Sequence, residues 1–214
     1  MKLTDINKMF SDKDYIEAEF KELEKRCLKE NIALIDRDAA DFLKIMLKVK
    51  NPKKILEIGS ALGFSALLTA KYTSQKSSIT AVEIDAERAA EAEAEIAKTD
   101  YSGKIDIKVG DALDILMYLK GKYDFIFLDA AKGQYLYLFE YIMELLEPGG
   151  ILLADNVLFK AKVLSDKDPG HKHRTIVKNL KKYLKLVLNH PELDSTVITA
   201  GDGMALSRRK DNDG

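Results

Sequence analysis

A single cysteine, Cys27, is present among 214 residues, so no internal disulfide can form and a reducing, cytoplasmic setting is expected. Cys27 falls at helical spacing with Ile16, Phe20 and Leu23 and reads as a packing residue, not a nucleophile. A surplus of one charge is lacking too. Lys plus Arg number 34 and Asp plus Glu 35, so the overall balance selects no partner. No apolar run is long enough to cross a bilayer, and no membrane association is expected. The opening MKLTDINKMF has no apolar core followed by small residues, so no secretory leader is expected. The histidines form no metal-ligand set. His171 and His173 sit in a basic loop, His190 precedes a proline, and all three read as solvated. The remaining composition, 46% hydrophobic and 32% charged, suits one globular domain over 1–214, with 1–50 as a helical extension.

Hydrophobic periodicity predicts a helix over 12–30 and a second with Phe42, Ile45, Met46 and Val49 on one face, ended by Asn51-Pro52. Apolar runs at 54–59, 78–85, 104–110, 123–129 and 150–156 then alternate with helical segments beginning near Ser65, Ala86, Ala112 and Gln134. That alternation predicts a parallel sheet covered on both faces. The tail differs: DSTVITA and MALSRRK flank Gly201-Asp202-Gly203 and read as an antiparallel hairpin.

Ligands of open parallel sheets gather at the carboxyl ends of the strands. Acids fall at or near these ends: Glu57, Glu83, Asp111, Asp129, and Asp155 beside Asn156. Buried carboxylates cost free energy unless paired or bound, so a fold alone does not call for them; helix capping is the plain alternative, strongest for Asp111. In LEIGSALGFSALLTA, Gly59 permits a tight turn and Gly63 gives room before Ser65 opens a helix. Glu83 follows Gly59 by 24 residues, where nucleotide folds hold ribose hydroxyls. The G-x-x-x-G spacing lacks the dinucleotide fingerprint. That disfavours a dehydrogenase and favours S-adenosylmethionine. Asp129 and Asp155-Asn156 end strands expected to be neighbours, about 4.8 Å apart, and can share one ion. Two carboxylates and an amide oxygen suit Mg²⁺ (or Mn²⁺) with positions left for substrate. Lys132 is then placed to take a hydroxyl proton or stabilise an oxyanion, which makes Lys132 and Asp129 the catalytic candidates. Ala130 and Ala131 leave space, and Gly133 can accept an unusual backbone conformation.

The motifs LEIGSALGFSA, VEID, GDAL, FIFLDAAKGQY and EPGGILLADNVL resemble the cation-dependent O-methyltransferases, the group containing catechol and caffeoyl-CoA O-methyltransferases, over about 34–205. In length and layout the resemblance is nearest to the bacterial tRNA 5-hydroxyuridine methyltransferases. It implies the class I S-adenosylmethionine-dependent methyltransferase (Rossmann-like) fold: α/β, seven strands, mostly parallel with the last antiparallel, helices on both faces. It further implies that backbone near Ile35 borders the cofactor, that Gly59 and Ser65 meet its methionine part, and that Glu83 takes the ribose. Asp111 and Ala112 would meet the adenine, and Asp129 would serve cofactor and metal alike. Phe64 keeps the aromatic ring common before this serine, without a hydroxyl. A homodimer is also implied, and the apolar stripe near the N-terminus could serve it.

The acceptor is open between a tRNA wobble 5-hydroxyuridine, converted to 5-methoxyuridine, and a small catechol-like or phenylpropanoid hydroxyl. Residues 160–185 carry nine Lys or Arg against two Asp. Ile176, Leu180, Leu184 and Val187 form the apolar stripe of a helix there, so Lys172, Arg174 and Lys178 are candidates for tRNA phosphates. The bland reading is a solvated face balanced by the acidic helix at 87–95. A non-catalytic cofactor-binding module is the reading of another class; it would be expected to lose a metal ligand or the lysine, and all four positions are filled.

Overall fold

The computed structural model describes residues 15–165 and 168–211. Seven strands form one sheet: β1 (Lys54–Ile58), β2 (Ser78–Glu83), β3 (Ile105–Val109), β4 (Tyr123–Leu128), β5 (Leu146–Ala154), β6 (Leu193–Ile198) and β7 (Met204–Arg209). Their order is β3-β2-β1-β4-β5-β7-β6. β7 pairs antiparallel with both β5 and β6, and the β1, β2, β3, β4 and β5 pairings are parallel. The helices are α1 (Lys21–Glu30), α2 (Arg37–Lys50), α3 (Phe64–Lys71), α4 (Ala86–Ile96), α5 (Ala112–Tyr118), α6 (Tyr135–Leu145) and α7 (Arg174–Leu188).

Period-two alternation divides the core between the two sheet faces. Leu56, Ile58, Ile126, Leu128 and Leu152 pack with α5, α6 and α7. Ile55, Phe125, Phe127, Ile151 and Leu153 pack with α1, α2 and α3, so the 15–50 helices share a core with the sheet. Among the described residues no helix is long and apolar enough to cross a membrane.

Several expectations are corrected. The first helix does not run from 12: 12–14 lie outside the described residues, Glu17 is extended, and a 3₁₀ turn begins at Ala18. The buried carboxylate of Glu24 explains the late start, because it accepts the backbone N–H of Ile16 at 2.8 Å. On α2 the inward face is Ala39, Ala40, Leu43 and Leu47, whereas Ile45 and Val49 are 57% and 76% exposed. Two apolar stripes share this helix, and the small alanines that let it approach the sheet carry the weaker hydrophobic signal. β5 begins at Leu146, not Gly150, because Leu146 pairs with Tyr123 before a register shift. His173 and His190 are half-buried, packing edge-on against Phe159 and Phe139 at 5.3 Å each, and only His171 is exposed. Two of the acids of α4, Glu91 and Glu95, pair with Arg26 at 2.6 and 3.4 Å, not with the basic segment.

The two faces of α2 separate in a stability measurement. Leu47→Ala should cost about 2–5 kcal/mol in urea unfolding, and Val49→Ala, at concentrations where the protein is monomeric, less than about 0.5 kcal/mol. Equal losses would contradict the assignment of faces.

Candidate functional site

A cavity of about 480 Å³ opens at the carboxyl ends of β1, β2 and β4. Of the residues singled out in the sequence, it gathers Ile35, Gly59, Ser65, Glu83, Ala112, Asp129, Lys132 and Asn156. Cys27, buried as expected, also lines it.

The glycine loop shapes its floor. Gly59 has φ +95°, and a Cβ there would overlap the Asp129 carbonyl, so only glycine lets β1 and β4 close at this point. Ala61 is left-handed at φ +46°, a costly conformation for a residue with a Cβ. Glu83 holds it there: one carboxylate oxygen accepts the Ala61 N–H at 2.8 Å, and the other accepts Asp85 N–H at 3.0 Å. α3 then starts at Phe64 with no side-chain cap, and Phe64 and Ser65 line the cavity.

Ser65 is committed inward. Its hydroxyl donates to Glu57, a fully buried acid whose second oxygen has no partner. Burial first, then the nearby Asp129 and Glu83 charges, push the Glu57 carboxyl up to about 8, against the single lowering influence of Ser65. The sequence marked Glu57 only as part of a strand end and assigned it no role. Asp111 is a helix cap: its side chain accepts Leu113 N–H at 2.8 Å at the start of α5, and it does not line the cavity. Ala112, immediately after it, does.

β4 and β5 run in register, Leu128 opposite Ala154, so Asp129 and Asp155 leave adjacent strand ends together. Lys132 reaches back to form an ion pair with Asp129 and also donates to the Tyr135 hydroxyl at 3.0 Å. Tyr135 is fully buried, a role sequence reasoning missed although the residue closes the same motif. Asp155 is fully buried as well, outside the cavity lining. Its Oδ1 accepts the Asn156 N–H at 2.7 Å and side-chain amide at 3.3 Å, while Oδ2 has no partner. Burial and the neighbouring Asp129 charge raise its carboxyl to about 7. Among the described residues no three His, Cys, Asp or Glu side chains gather as a metal site; the strand-end set has two acids and one amide.

Gly133 has no positive φ, contrary to expectation. Its carbonyl accepts Asn179 of α7 at 3.0 Å, and that bond ties α7 to the Lys132 loop. Lys172, Arg174 and Lys178 are exposed on this segment and do not line the cavity, and Arg174 pairs with the exposed Asp168 at 2.5 Å.

A family model described as O-methyltransferase matches residues 9–210. Caffeoyl-CoA O-methyltransferase 1 of Eucalyptus globulus is 34% identical over 189 residues, 84% of this chain and 76% of the relative. A Staphylococcus aureus structure, solved as a candidate caffeoyl-CoA O-methyltransferase, superposes with a TM-score of 0.84 at 27% identity, covering 90% and 93% of the two chains. An O-methyltransferase from Bacillus cereus, in complex with SAH, shares the fold at a TM-score of 0.83 and 22% identity, over 95% and 96%.

Glu57 makes stability pH-dependent. Its carboxyl holds a proton more tightly folded than unfolded, so the folded state loses ground as pH rises from about 4.5 to about 8. Glu57→Gln mimics the protonated form and should remove that part of the slope, with Asp155 contributing equally to both proteins. Parallel stability–pH profiles for wild type and variant would contradict the assignment.

Proposed function

The chain belongs to the O-methyltransferase family, and on that premise we propose that it methylates a hydroxyl oxygen at the Asp129–Asp155 end of the sheet, using S-adenosylmethionine and Mg²⁺ or Mn²⁺. The observation that carries this reading is the glycine loop, Glu83, Asp129 and Lys132 lining one cavity.

When bound, S-adenosylmethionine would supply an electrophilic methyl group, and the divalent cation would lower the pKa of the acceptor hydroxyl. The chain's own residues do the rest. The N–H groups at the start of α3 suit the carboxylate of the methionine part. Glu83 offers its remaining lone pairs to ribose hydroxyls, with backbone at Ile35 and Ala112 bordering the ligand. Asp155 Oδ2, buried and unpartnered, is the feature of this chain that fits a cation; Asp129 and the amide oxygen of Asn156 would complete the set. Lys132 accepts the hydroxyl proton or stabilises the oxyanion that remains. Transfer from a sulfonium to an oxyanion neutralises charge, so alignment supplies most of the rate.

For the acceptor we favour the wobble 5-hydroxyuridine of tRNA, in a cytoplasmic setting. The support is the exposed basic face of α7, whose Asn179 touches the loop next to Lys132. A base extruded from the anticodon stack would present two adjacent oxygens to the ion. Similarity to caffeoyl-CoA O-methyltransferases favours the second reading, a phenylpropanoid or catechol-like hydroxyl. We also propose a homodimer that uses the exposed Ile45 and Val49 stripe of α2.

The acceptor assay compares total RNA, from cells lacking this protein, with a panel of catechols. RNA should be labelled, chelator should abolish transfer and Mg²⁺ or Mn²⁺ should restore it. Asp155→Ala should be inactive yet folded. Glu at Lys172, Arg174 and Lys178 together should impair RNA methylation and spare S-adenosylmethionine binding. Full activity in chelator, with metal content checked, would overturn the metal role. Faster methylation of catechols than of any RNA would overturn the tRNA acceptor, and no transfer to any acceptor would favour a binding module. Separately, light scattering should give a dimer for wild type and a monomer for Val49→Glu; a wild-type monomer at micromolar concentration would reject the dimer.

A further inference from the structure

We propose that Tyr135 is a positioning residue that makes Lys132 directional toward the acceptor. The inference rests on the reading of Lys132 as the group beside the acceptor oxygen. Tyr135 opens α6 and is fully buried, with its hydroxyl 3.1 Å from the Leu128 carbonyl and 2.9 Å from the Asp155 carbonyl. Those carbonyls can only accept, so the single phenolic proton goes to one of them. The oxygen is then left to accept from Lys132, whose Nζ lies 3.0 Å away.

This fixes the geometry at Nζ. A tetrahedral amine nitrogen has four directions. One is its bond to Cε, the second points to Asp129, and the third to Tyr135. The fourth is the one direction left for the cavity that Lys132 lines. Whether a proton or a lone pair occupies it, no side-chain rearrangement is needed to address an acceptor oxygen. The tyrosine ring cannot easily yield, since Tyr183 packs edge-on against it at 5.5 Å and is itself fully buried. The same hydroxyl sits between the last residue of β4 and the Asp155 backbone, so it reads the spacing of the two strand ends while it holds the lysine.

The test is a double-mutant cycle with Tyr135→Phe and Lys132→Ala, on the full chain, with S-adenosylmethionine and the acceptor it methylates best. Tyr135→Phe should lower kcat about tenfold to hundredfold and leave the KM for S-adenosylmethionine within about twofold. In the Lys132→Ala background the same change should have no further effect, because the partner through which it acts is gone. An equal loss in both backgrounds, or unchanged kcat in Tyr135→Phe, overturns the inference. Full turnover in Lys132→Ala overturns the underlying reading of Lys132 instead. Should Tyr135→Phe not fold, 4-aminophenylalanine at position 135 separates the roles: its N–H groups satisfy both carbonyls, but its nitrogen is a poor acceptor for Lys132. Loss of turnover with a wild-type melting temperature is the expected result, and wild-type turnover would overturn the proposal.

Discussion

The parallel pairing of β4 with β5 is the constraint on which the candidate site depends. Register places Leu128 opposite Ala154, and the ladder continues one step further, with Asp155 N–H donating to the Leu128 carbonyl at 2.9 Å. The next residues out of the sheet are therefore two carboxylates in close company. A slip of one residue would turn one of them to the opposite face. Three further features of the site are arranged around this pair. Gly59 lets β1 close against Asp129, Lys132 offsets the Asp129 charge, and Tyr135 spans the two strand ends.

Such a site opposes stability. Asp155 and Glu57 are fully buried, each with one oxygen unpartnered, and mutual repulsion with Asp129 adds to the cost of burial. Burial first, and the neighbouring Asp129 charge with it, hold both carboxyls well above their ordinary range, which favours their protonated forms. A cation near Asp155 and a positively charged ligand near Glu57 would both favour the ionised forms.

The sheet was legible from the sequence because its strands are near-continuous apolar runs ended by acids, and the tail hairpin because Gly201-Asp202-Gly203 separates two alternating segments. The adjacency of Asp129 and Asp155 was legible for the same reason. What escaped has physical causes. The inward face of α2 is built partly from alanines, which carry little hydrophobic signal although they set the approach to the sheet. Asp111 could be a cap or a ligand contact on sequence grounds, and the bond to Leu113 shows that one carboxylate oxygen caps the helix. Tyr135 looks like an ordinary helix residue and Glu57 is one strand-end acid among several; only three-dimensional neighbours reveal that the tyrosine hydroxyl accepts from Lys132 and that the Glu57 carboxyl is fully buried with a raised pKa.

The most direct test of the account is anomalous diffraction from crystals grown with SAH and Mn²⁺. The account predicts a manganese peak bounded by Asp129, Asp155 and Asn156, with SAH in the cavity floored by Gly59 and Glu83. Manganese bound elsewhere, or SAH in that cavity with no manganese at the strand ends, would contradict it.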